Sequence, residues 1–250
     1  MLSSLKILIY RYYKIIVRRI QFHKKIKKAV YLRNNRDKYK KKYGLNTQFD
    51  FVINTLEQRK LIDTSSKALE VFGWHGLNIT VDYAPYCESV DLYDIDPMII
   101  KYAKKIHRKR RNNINPILGN SIELINNGKL DGRYNFISID SPNSVYDKYC
   151  EHFDIFPNVF NCLKNYEGII VIGVITNAIH FYSQSNDEKN RLWNERRKEF
   201  YNISNAEYIN PNFLLKYYIE IAKKNNFLVS ESIYVNRGLN MGFVVLSLNK

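Results

Sequence analysis

Two glycines and one acidic residue form the chemical pattern that is most informative in this chain. Gly73 and Gly76 follow the short apolar run at residues 69–72, so the backbone can turn tightly there and approach a ligand closely. Asp94 follows the next apolar run, residues 90–93, where a carboxylate can accept hydrogen bonds from two ribose hydroxyls. The pattern predicts half of a nucleotide-binding crossover, with the second glycine and the acid 18 residues apart.

The elements that must position these residues follow from the apolar runs farther along the chain. Short strands are predicted at residues 116–119, 134–140 and 168–176. The last of these is nearly all β-branched, which is typical of a strand buried on both faces. Helical spacing follows at residues 211–226, and two strands, 227–235 and 242–248, are joined by the turn sequence NRGLNM. Strands and helices therefore alternate along the chain and close with a hairpin.

This order of elements resembles the class I S-adenosylmethionine-dependent methyltransferases over residues 48–250. The resemblance implies an α/β fold, a Rossmann-like and mostly parallel seven-stranded sheet with helices on both faces and a C-terminal antiparallel hairpin. Residues 70–76, EVFGWHG, are similar to the family's first motif, which is an acid, two apolar residues and a glycine-rich turn. Trp74 departs from that motif, because many members have another glycine there.

S-adenosylmethionine is the cofactor that the resemblance implies. Asp94 looks like the acid that holds the cofactor's ribose, and Asn120 occupies the place of the polar residue that contacts the adenine amino group. The residues that the resemblance assigns to cofactor binding are Glu70, Phe72, Gly73, Trp74, Gly76, Asp94, Ile95, Asn120, Ser121 and Asp140.

The sequence Asp140-Ser141-Pro142-Asn143 resembles the family's fourth motif. In methyltransferases that act on amino groups of bases, this motif reads Asp or Asn, Pro, Pro and an aromatic residue. Ser141 replaces the first proline, and Asn143 replaces the aromatic residue that would stack on a flipped base. Tyr146 can supply that stacking face instead, since base stacking on an aromatic ring contributes about 1–3 kcal/mol.

The catalytic set predicted from this motif is Asp140, Pro142, Asn143 and Tyr146. Methyl transfer needs a nucleophile placed in line with the activated methyl group, in a site that excludes water. If the nucleophile is an exocyclic amine, Asp140 accepts one amine hydrogen and a backbone carbonyl near Pro142 accepts the other. The nitrogen lone pair is then directed toward the methyl group, and no covalent intermediate is required.

Positive charge is concentrated at the N-terminus. Residues 1–43 hold 15 Lys and Arg and one acid, Asp37, whereas the remaining chain holds 24 basic and 23 acidic residues. This asymmetry predicts a basic, partly amphipathic N-terminal arm at residues 1–47 attached to a methyltransferase domain at residues 48–250. Such an arm finds phosphates by long-range attraction, so its partner should be polyanionic.

Two polyanionic partners fit the arm. Tyrosines and Phe22 alternate with its basic residues, which suits phosphate contacts combined with base stacking and favours nucleic acid, with RNA slightly ahead of DNA. Its first twenty residues are also apolar enough to lie on a membrane surface, as basic amphipathic helices do. A third interpretation is a solubilising extension that packs its apolar face on the domain.

Two further basic clusters lie within the domain. One falls on the helix predicted after Asp96, and comprises Lys101, Lys104, Lys105, Arg108, Lys109, Arg110 and Arg111. On a surface helix such a run is commonly only a solvated face, but next to a basic arm it can extend a track for phosphates. The other cluster, Arg191, Arg196, Arg197 and Lys198, lies in the long segment 177–210. We interpret this segment as a cap over the substrate, because long segments in compact domains are usually functional or helical.

The cysteines and the distribution of apolar residues indicate the cellular compartment. Cys87, Cys150 and Cys162 are odd in number and lack the spacing of metal ligands, so neither a disulfide framework nor a metal site is predicted. Charged residues interrupt the N-terminal apolar stretch, and no run of about 20 apolar residues is present. We therefore expect a cytoplasmic protein.

The sequence as a whole predicts a methyltransferase that modifies a base nitrogen in nucleic acid. One alternative is a methyltransferase for a small molecule, lipid or glycan precursor at a membrane surface, and another is an inactive binding protein that retains the cofactor fold. His152 follows the fourth motif closely and is a candidate base, although a buried structural histidine is the commoner case. His75, in the glycine turn, is a candidate for a cofactor contact, and capping of the following helix is the alternative interpretation.

Overall fold

The structure is a computed structural model. It describes residues 48–58, 64–77, 79–140, 145–146, 149–179, 188–237 and 240–250, with the single positions 17, 20, 24, 27 and 62. Within this part of the chain, Gln48–Lys250 form one compact unit. Apart from positions 17, 20, 24 and 27, the predicted basic arm at residues 1–47 lies outside the described residues, so its structure and its boundary stay predictions.

The described residues form nine strands, seven of which make up the central sheet. The strands are β1 (Lys67–Val71), β2 (Ser89–Asp94), β3 (Ile114–Leu118), β4 (Phe136–Ile139), β5 (Val145–Tyr146), β6 (Tyr149–Cys150), β7 (Gly168–Ile175), β8 (Leu228–Asn236) and β9 (Met241–Asn249). The sheet has the order β3-β2-β1-β4-β7-β9-β8, and β5 pairs only with β6. Neighbours from β3 to β7 are parallel, whereas β9 runs antiparallel to both β7 and β8. The last strand is thus inserted between its hairpin partner and the parallel strands.

Helices lie between the strands. The described α-helices are α1 (Gln48–Gln58), α2 (Thr80–Tyr83), α3 (Pro97–Arg110), α4 (Ser121–Asn126), α5 (Glu188–Tyr201) and α6 (Pro211–Lys224). Short 3₁₀ helices occur at Ala84–Tyr86, Glu151–Asp154, Asn158–Cys162 and Lys164–Tyr166. None of the helices in the described part of the chain is both long and apolar enough to cross a membrane.

Alternating side chains of the strands bury the two faces of the sheet in separate apolar clusters. On one face, Leu69 and Val71 of β1 belong to a cluster that includes side chains of α4, α5 and α6. On the other face, Ala68 belongs to a cluster that includes side chains of α1, α2 and α3. Because side chains alternate along a strand, Glu70 lies on this second face. The predicted fold, a mostly parallel sheet with helices on both faces and a terminal hairpin, is confirmed.

Two predicted boundaries differ from the structure for local reasons. The third strand begins at Ile114 rather than at residue 116, because Ile114 and Asn115 also pair with β2. The fourth strand is shorter than residues 134–140, since Tyr134 bridges Leu163 instead of joining the ladder. The crossover from the glycine turn to β2 contains only a short helix, which begins at Thr80 and lasts four residues before Pro85 enters a 3₁₀ turn.

Candidate cofactor and catalytic site

Three acidic residues lie on one face of the sheet, at the edge where its parallel strands end. Glu70 of β1 is paired in register with Leu92 of β2 and with Ser138 of β4. Asp94 and Asp140 come two residues later on these flanking strands, so alternation places them on the same face as Glu70, about 7 Å nearer the edge. The strands of Asp94 and Asp140 flank β1, and sheet spacing puts them roughly 10 Å apart. Glu70 thus forms the floor of a gap that the other two acids border.

The turn after β1 lies beside the end of β2, with the backbone N–H of Trp74 next to Asp94. Its backbone takes the left-handed conformation at Phe72 (φ 60°), Trp74 (φ 45°) and Gly76 (φ 67°), and the Gly73 N–H donates to the Tyr93 carbonyl over 2.9 Å. The left-handed region costs a side-chain-bearing residue roughly 1–2 kcal/mol. The chain therefore keeps the backbone shape of a glycine-rich turn at two positions that carry aromatic residues. The Trp74 ring lies against that of His75, with centroids 3.7 Å apart.

Replacing Gly73 by alanine should destabilise the protein by about 2–3 kcal/mol, a typical penalty for overpacking a buried site. A Cβ atom at this position would lie 2.3 Å from Cγ of Leu92, which is fully buried and cannot move aside easily. Chemical denaturation of the variant measures the loss. In a Leu92→Ala background the same substitution should cost less than about 1 kcal/mol, because the clash is gone. Gly132→Ala is the matched control, since its Cβ meets nothing within 4 Å and only backbone strain remains. An equal loss in both backgrounds would contradict the clash.

Asp94 and Asp96 have different roles, although the sequence places both after β2. The Asp94 carboxylate accepts the backbone N–H of Asp96 over 2.8 Å, and the backbone N–H groups of Trp74 and Ile95 also favour its charged form. Burial nevertheless raises the pKa of Asp94 above its usual value. A carboxylate has about four acceptor positions, so it retains capacity for ligand hydroxyls. Asp96 instead caps α3 by accepting from the backbone N–H groups of Met98 and Ile99.

The other predicted cofactor residues lie at the same edge with unequal accessibility. Ile95 is 36% exposed beside Asp94. Asn120 follows β3 and caps α4, where its Oδ1 accepts from the backbone N–H groups of Ile122 and Glu123. Its Nδ2 takes no part in these two hydrogen bonds, so the amide group can donate to a ligand. Ser121 is buried at the start of α4.

Glu70 is buried among hydrogen-bond donors. The Tyr83 hydroxyl donates to its Oε2 over 2.5 Å, and the Thr80 hydroxyl donates to the same atom over 3.2 Å. Complete burial raises the pKa of Glu70 to about 8, the hydrogen bond from Tyr83 opposes this shift, and the nearby charge of Asp140 adds to it. Glu70 therefore keeps its proton at neutral pH, and the floor of the gap is uncharged.

Replacing Glu70 by glutamine should make the protein less sensitive to alkaline pH. The folded state holds this proton up to about pH 8, while the unfolded chain releases it near 4.5, so stability falls as the pH rises through this interval. Glutamine cannot titrate, so the Tm of the variant should fall less than the Tm of wild type between pH 5 and 8.5. We expect the two decreases to differ by about 4 °C or more. Thermal melts across this pH range test it, with exposed Glu88→Gln as the control. Parallel pH curves for Glu70→Gln and wild type would contradict a protonated Glu70.

Asp140, the predicted catalytic acid, lies directly after β4 and is paired with Arg237. Arg237 Nη1 donates to Asp140 Oδ1 over 2.5 Å, and the side chain of Asp140 is 8% exposed. Burial raises the pKa of Asp140, and the guanidinium opposes that rise. On β7, Gly173 leaves room for the carboxylate, because a Cβ there would lie 2.8 Å from Asp140 Oδ1. Sequence reasoning missed Arg237, for which the turn sequence NRGLNM gives no signal beyond a charged residue.

The structure does not describe the other side chains of the predicted catalytic set. Pro142 and Asn143 lie outside the described residues. Tyr146 ends β5, but its side chain is also outside the described part of the structure. Their roles therefore stay predictions.

The two histidines singled out in the sequence, His75 and His152, are both buried. His152 is buried within an aromatic cluster with its Nε2 hydrogen-bonded to the Tyr218 hydroxyl, and burial lowers its pKa to about 3. His75 is buried in the turn after β1, where its Nδ1 accepts from the Leu77 N–H over 3.1 Å. Within the described ranges, no group of three or more His, Cys, Asp or Glu side chains is arranged to hold a metal ion.

The predicted cap segment 177–210 contains the 14-residue helix α5. Trp193, Arg197 and Tyr201 of α5 are buried against the sheet. Arg197 donates to the carbonyls of Ala206 and Ile175, so it fastens the segment to the end of β7. Part of this basic cluster is thus internal. A role of the segment as a substrate cap stays a prediction.

The strand order, the antiparallel β9 and the turn that meets Asp94 together give the fold of the class I S-adenosylmethionine-dependent methyltransferases, as the resemblance implied. An S-adenosylmethionine-dependent methyltransferase from Clostridium acetobutylicum is similar in structure, with a TM-score of 0.51 and 13% identity over 87% of this chain and 98% of that chain. At this identity the likeness establishes the fold. No protein-family model matches the sequence, and no curated protein matches it either.

Two other solved structures are similar to part of this chain. Trm5b from Pyrococcus abyssi has a TM-score of 0.48 and 15% identity over 82% of this chain and 49% of that chain. The M. jannaschii tRNA m1G37 methyltransferase has a TM-score of 0.48 and 14% identity over 82% of this chain and 51% of that chain. The chain thus spans about half the length of these two proteins.

Proposed function

We propose that this protein is an S-adenosylmethionine-dependent methyltransferase that methylates a base nitrogen in nucleic acid, with RNA favoured slightly over DNA. The observation that carries the proposal is the edge described above, where a left-handed turn, Asp94 and Asp140 border one gap in a methyltransferase fold. The residues present suit the cofactor: Asp94 has acceptor capacity for the ribose hydroxyls, Ile95 offers an exposed apolar surface, and Asn120 offers a donor.

Asp140 supplies the polar contact that the substrate amine needs. When bound, the cofactor provides a methyl group on a positively charged sulfur. The amine lone pair forms the new N–C bond, the electron pair of the C–S bond stays on sulfur, and one amine proton is released to solvent. Before that step Asp140 accepts a hydrogen bond from the amine and so fixes the direction of its lone pair. Buried groups also keep water from competing.

A basic surface on α3 supports nucleic acid as the substrate. All seven basic residues between Lys101 and Arg111 are exposed, and α3 contains no acidic residue. None of the seven has a carboxylate within 4.0 Å among the described residues. The helix starts next to Asp94 and extends about 20 Å away, a length that spans several nucleotide phosphates. We call these seven side chains the α3 basic face.

Neutralising this face should weaken nucleic-acid binding. The variant carries glutamine at Lys101, Lys104, Lys105 and Arg108, and we expect at least a tenfold lower affinity at about 100 mM salt, with a salt slope reduced by about 2–3. The control carries glutamine at Lys129, Lys164, Lys223 and Lys224, which are exposed near the opposite edge of the sheet. Fluorescence anisotropy with labelled RNA and DNA measures both. Equal losses in the two variants would mean that only net charge matters, which would remove the α3 basic face as a specific surface.

Transfer of a labelled methyl group tests the proposed activity itself. The full-length protein is incubated with S-adenosylmethionine labelled on the methyl group and, separately, with RNA, DNA and anionic lipid vesicles carrying small-molecule and lipid acceptors. We expect label in RNA above DNA, on a base nitrogen identified by mass spectrometry of the nucleosides. Label only in lipid or small-molecule acceptors would replace the nucleic-acid substrate. Cofactor binding without transfer to any acceptor class would favour an inactive binding protein.

A further inference from the structure

The partner of Asp140 comes from a distant part of the chain. Arg237 follows β8 directly, and its backbone N–H donates to the Met241 carbonyl over 2.8 Å, which fixes the start of the turn to β9. Its guanidinium carbon lies 5.0 Å from the centroid of the Phe243 ring, a cation–π contact. The arginine is thus held by its own backbone and by an aromatic surface before it reaches Asp140.

The register of the sheet explains why this arginine reaches the edge above β4. Strand β4 ends at Ile139, which pairs with Ile172, whereas β7 continues for three more residues alongside β9. The antiparallel strands therefore rise above the end of β4 and form a wall beside Asp140. Arg237 lies at the top of that wall, and its side chain is 29% exposed.

The positive charge of Arg237 affects the ionisation of Asp140. Asp140 is nearly buried and lies near Glu70 of β1, which is uncharged below about pH 8. Among the described groups that face Asp140, Arg237 supplies the positive charge that lowers the pKa of Asp140. A carboxylate buried at this depth would otherwise take up a proton more readily, and a protonated carboxyl loses the acceptor strength that orients an amine.

We infer that Arg237 is a positioning residue, which keeps the Asp140 carboxylate ionised and aimed into the gap so that it accepts the hydrogen bond of the substrate amine. This inference rests on the proposed function, and it adds the β8–β9 turn to the catalytic site. It also restricts the substrate class: the group that Asp140 meets is a hydrogen-bond donor such as an amine and not an anion, since an anionic acceptor would pair with Arg237 and separate it from Asp140.

The pH dependence of transfer tests this role. Arg237→Gln should lower kcat about tenfold or more at pH 7 and move the acid limb of the kcat–pH profile upward by about one unit or more, because the loss of a paired charge shifts a carboxyl pKa by this amount. The Kd for S-adenosylmethionine should stay within about threefold of wild type. Arg237→Lys should recover part of kcat and of the profile, since it restores the charge. Arg133→Gln is the matched control, because Arg133 is an exposed arginine that precedes β4, at the opposite edge of the sheet.

A second readout separates this inference from the proposed function. The pKa of the Asp140 carboxyl is followed by NMR in ¹³C-labelled protein without cofactor, for wild type, Arg237→Gln and Arg237→Lys, after circular dichroism has verified their folding. A rise in Arg237→Gln, reversed in Arg237→Lys, supports the inference. An unchanged Asp140 pKa, or an unshifted acid limb, overturns it even if the enzyme is active. Absence of transfer by wild type, with the pKa shift present, overturns the proposed function and leaves the electrostatic coupling intact.

Discussion

Replacing Asp94 by alanine should reduce the affinity for S-adenosylmethionine by about 30- to 1000-fold. Hydrogen bonds to a charged group are worth about 1.5–3 kcal/mol each, and a ribose offers two hydroxyls. Water replaces part of these lost hydrogen bonds in the variant, so the expected loss is smaller than their sum. The carboxylate also accepts the backbone N–H of Asp96 and interacts with the Trp74 amide, so its loss frees the turn after β1. Both effects act on the same ligand.

Isothermal calorimetry with S-adenosylmethionine, its demethylated product and NAD measures this loss. Wild type should bind the first two with micromolar Kd and should not bind NAD. Asp96→Ala is the matched control: it removes the cap of α3 at a cost of about 1 kcal/mol in stability, and its cofactor affinity should change by less than about threefold. Binding of NAD instead, or equal losses in both variants, would show that the gap beside Asp94 serves another ligand.

Replacing Asp140 by alanine should lower kcat by on the order of 100-fold, a larger effect than on the Kd for the cofactor, to which the resemblance also assigns Asp140. A preorganised polar contact at a reacting group is worth about 10²–10³ in kcat, and Asp140 is the acceptor that we assign to the substrate amine. Asp140→Asn should retain more activity, because the amide oxygen still accepts a hydrogen bond although the charge is gone. Single-turnover transfer of labelled methyl groups measures the chemical step directly.

The pairing of Asp140 with Arg237 complicates this comparison in a useful way. In Asp140→Ala the guanidinium of Arg237 loses its partner, but the Arg237 side chain is 29% exposed and can turn to solvent, so the fold should be retained. The double variant Asp140→Ala, Arg237→Gln should therefore be no slower than Asp140→Ala alone, since Arg237 acts through Asp140. Full-rate transfer by Asp140→Ala would remove Asp140 from the mechanism, and additive losses in the double variant would separate the two residues.

Several features of the fold could be predicted from the sequence because they depend on local patterns. Apolar runs located all seven strands of the sheet, and the element order and terminal hairpin gave its class. Gly73, Gly76 and Asp94 marked the ends of β1 and β2, and open α/β sheets bind their ligands at the carboxyl ends of such strands. The departure at Trp74 was also visible, but its meaning was not: the residue keeps the left-handed backbone of a glycine turn.

The sequence by itself determined the order of the elements and the edge at which chemistry can occur, since burial imposes a period on each strand that neighbouring residues reveal. Only the tertiary structure decided how the acids differ. It buried Glu70 against Tyr83, used Asp96 as a helix cap and joined Asp140 to Arg237, 97 residues away. These outcomes depend on strand register and on how far β7 and β9 extend past β4, and such long-range geometry leaves no periodic trace in the chain.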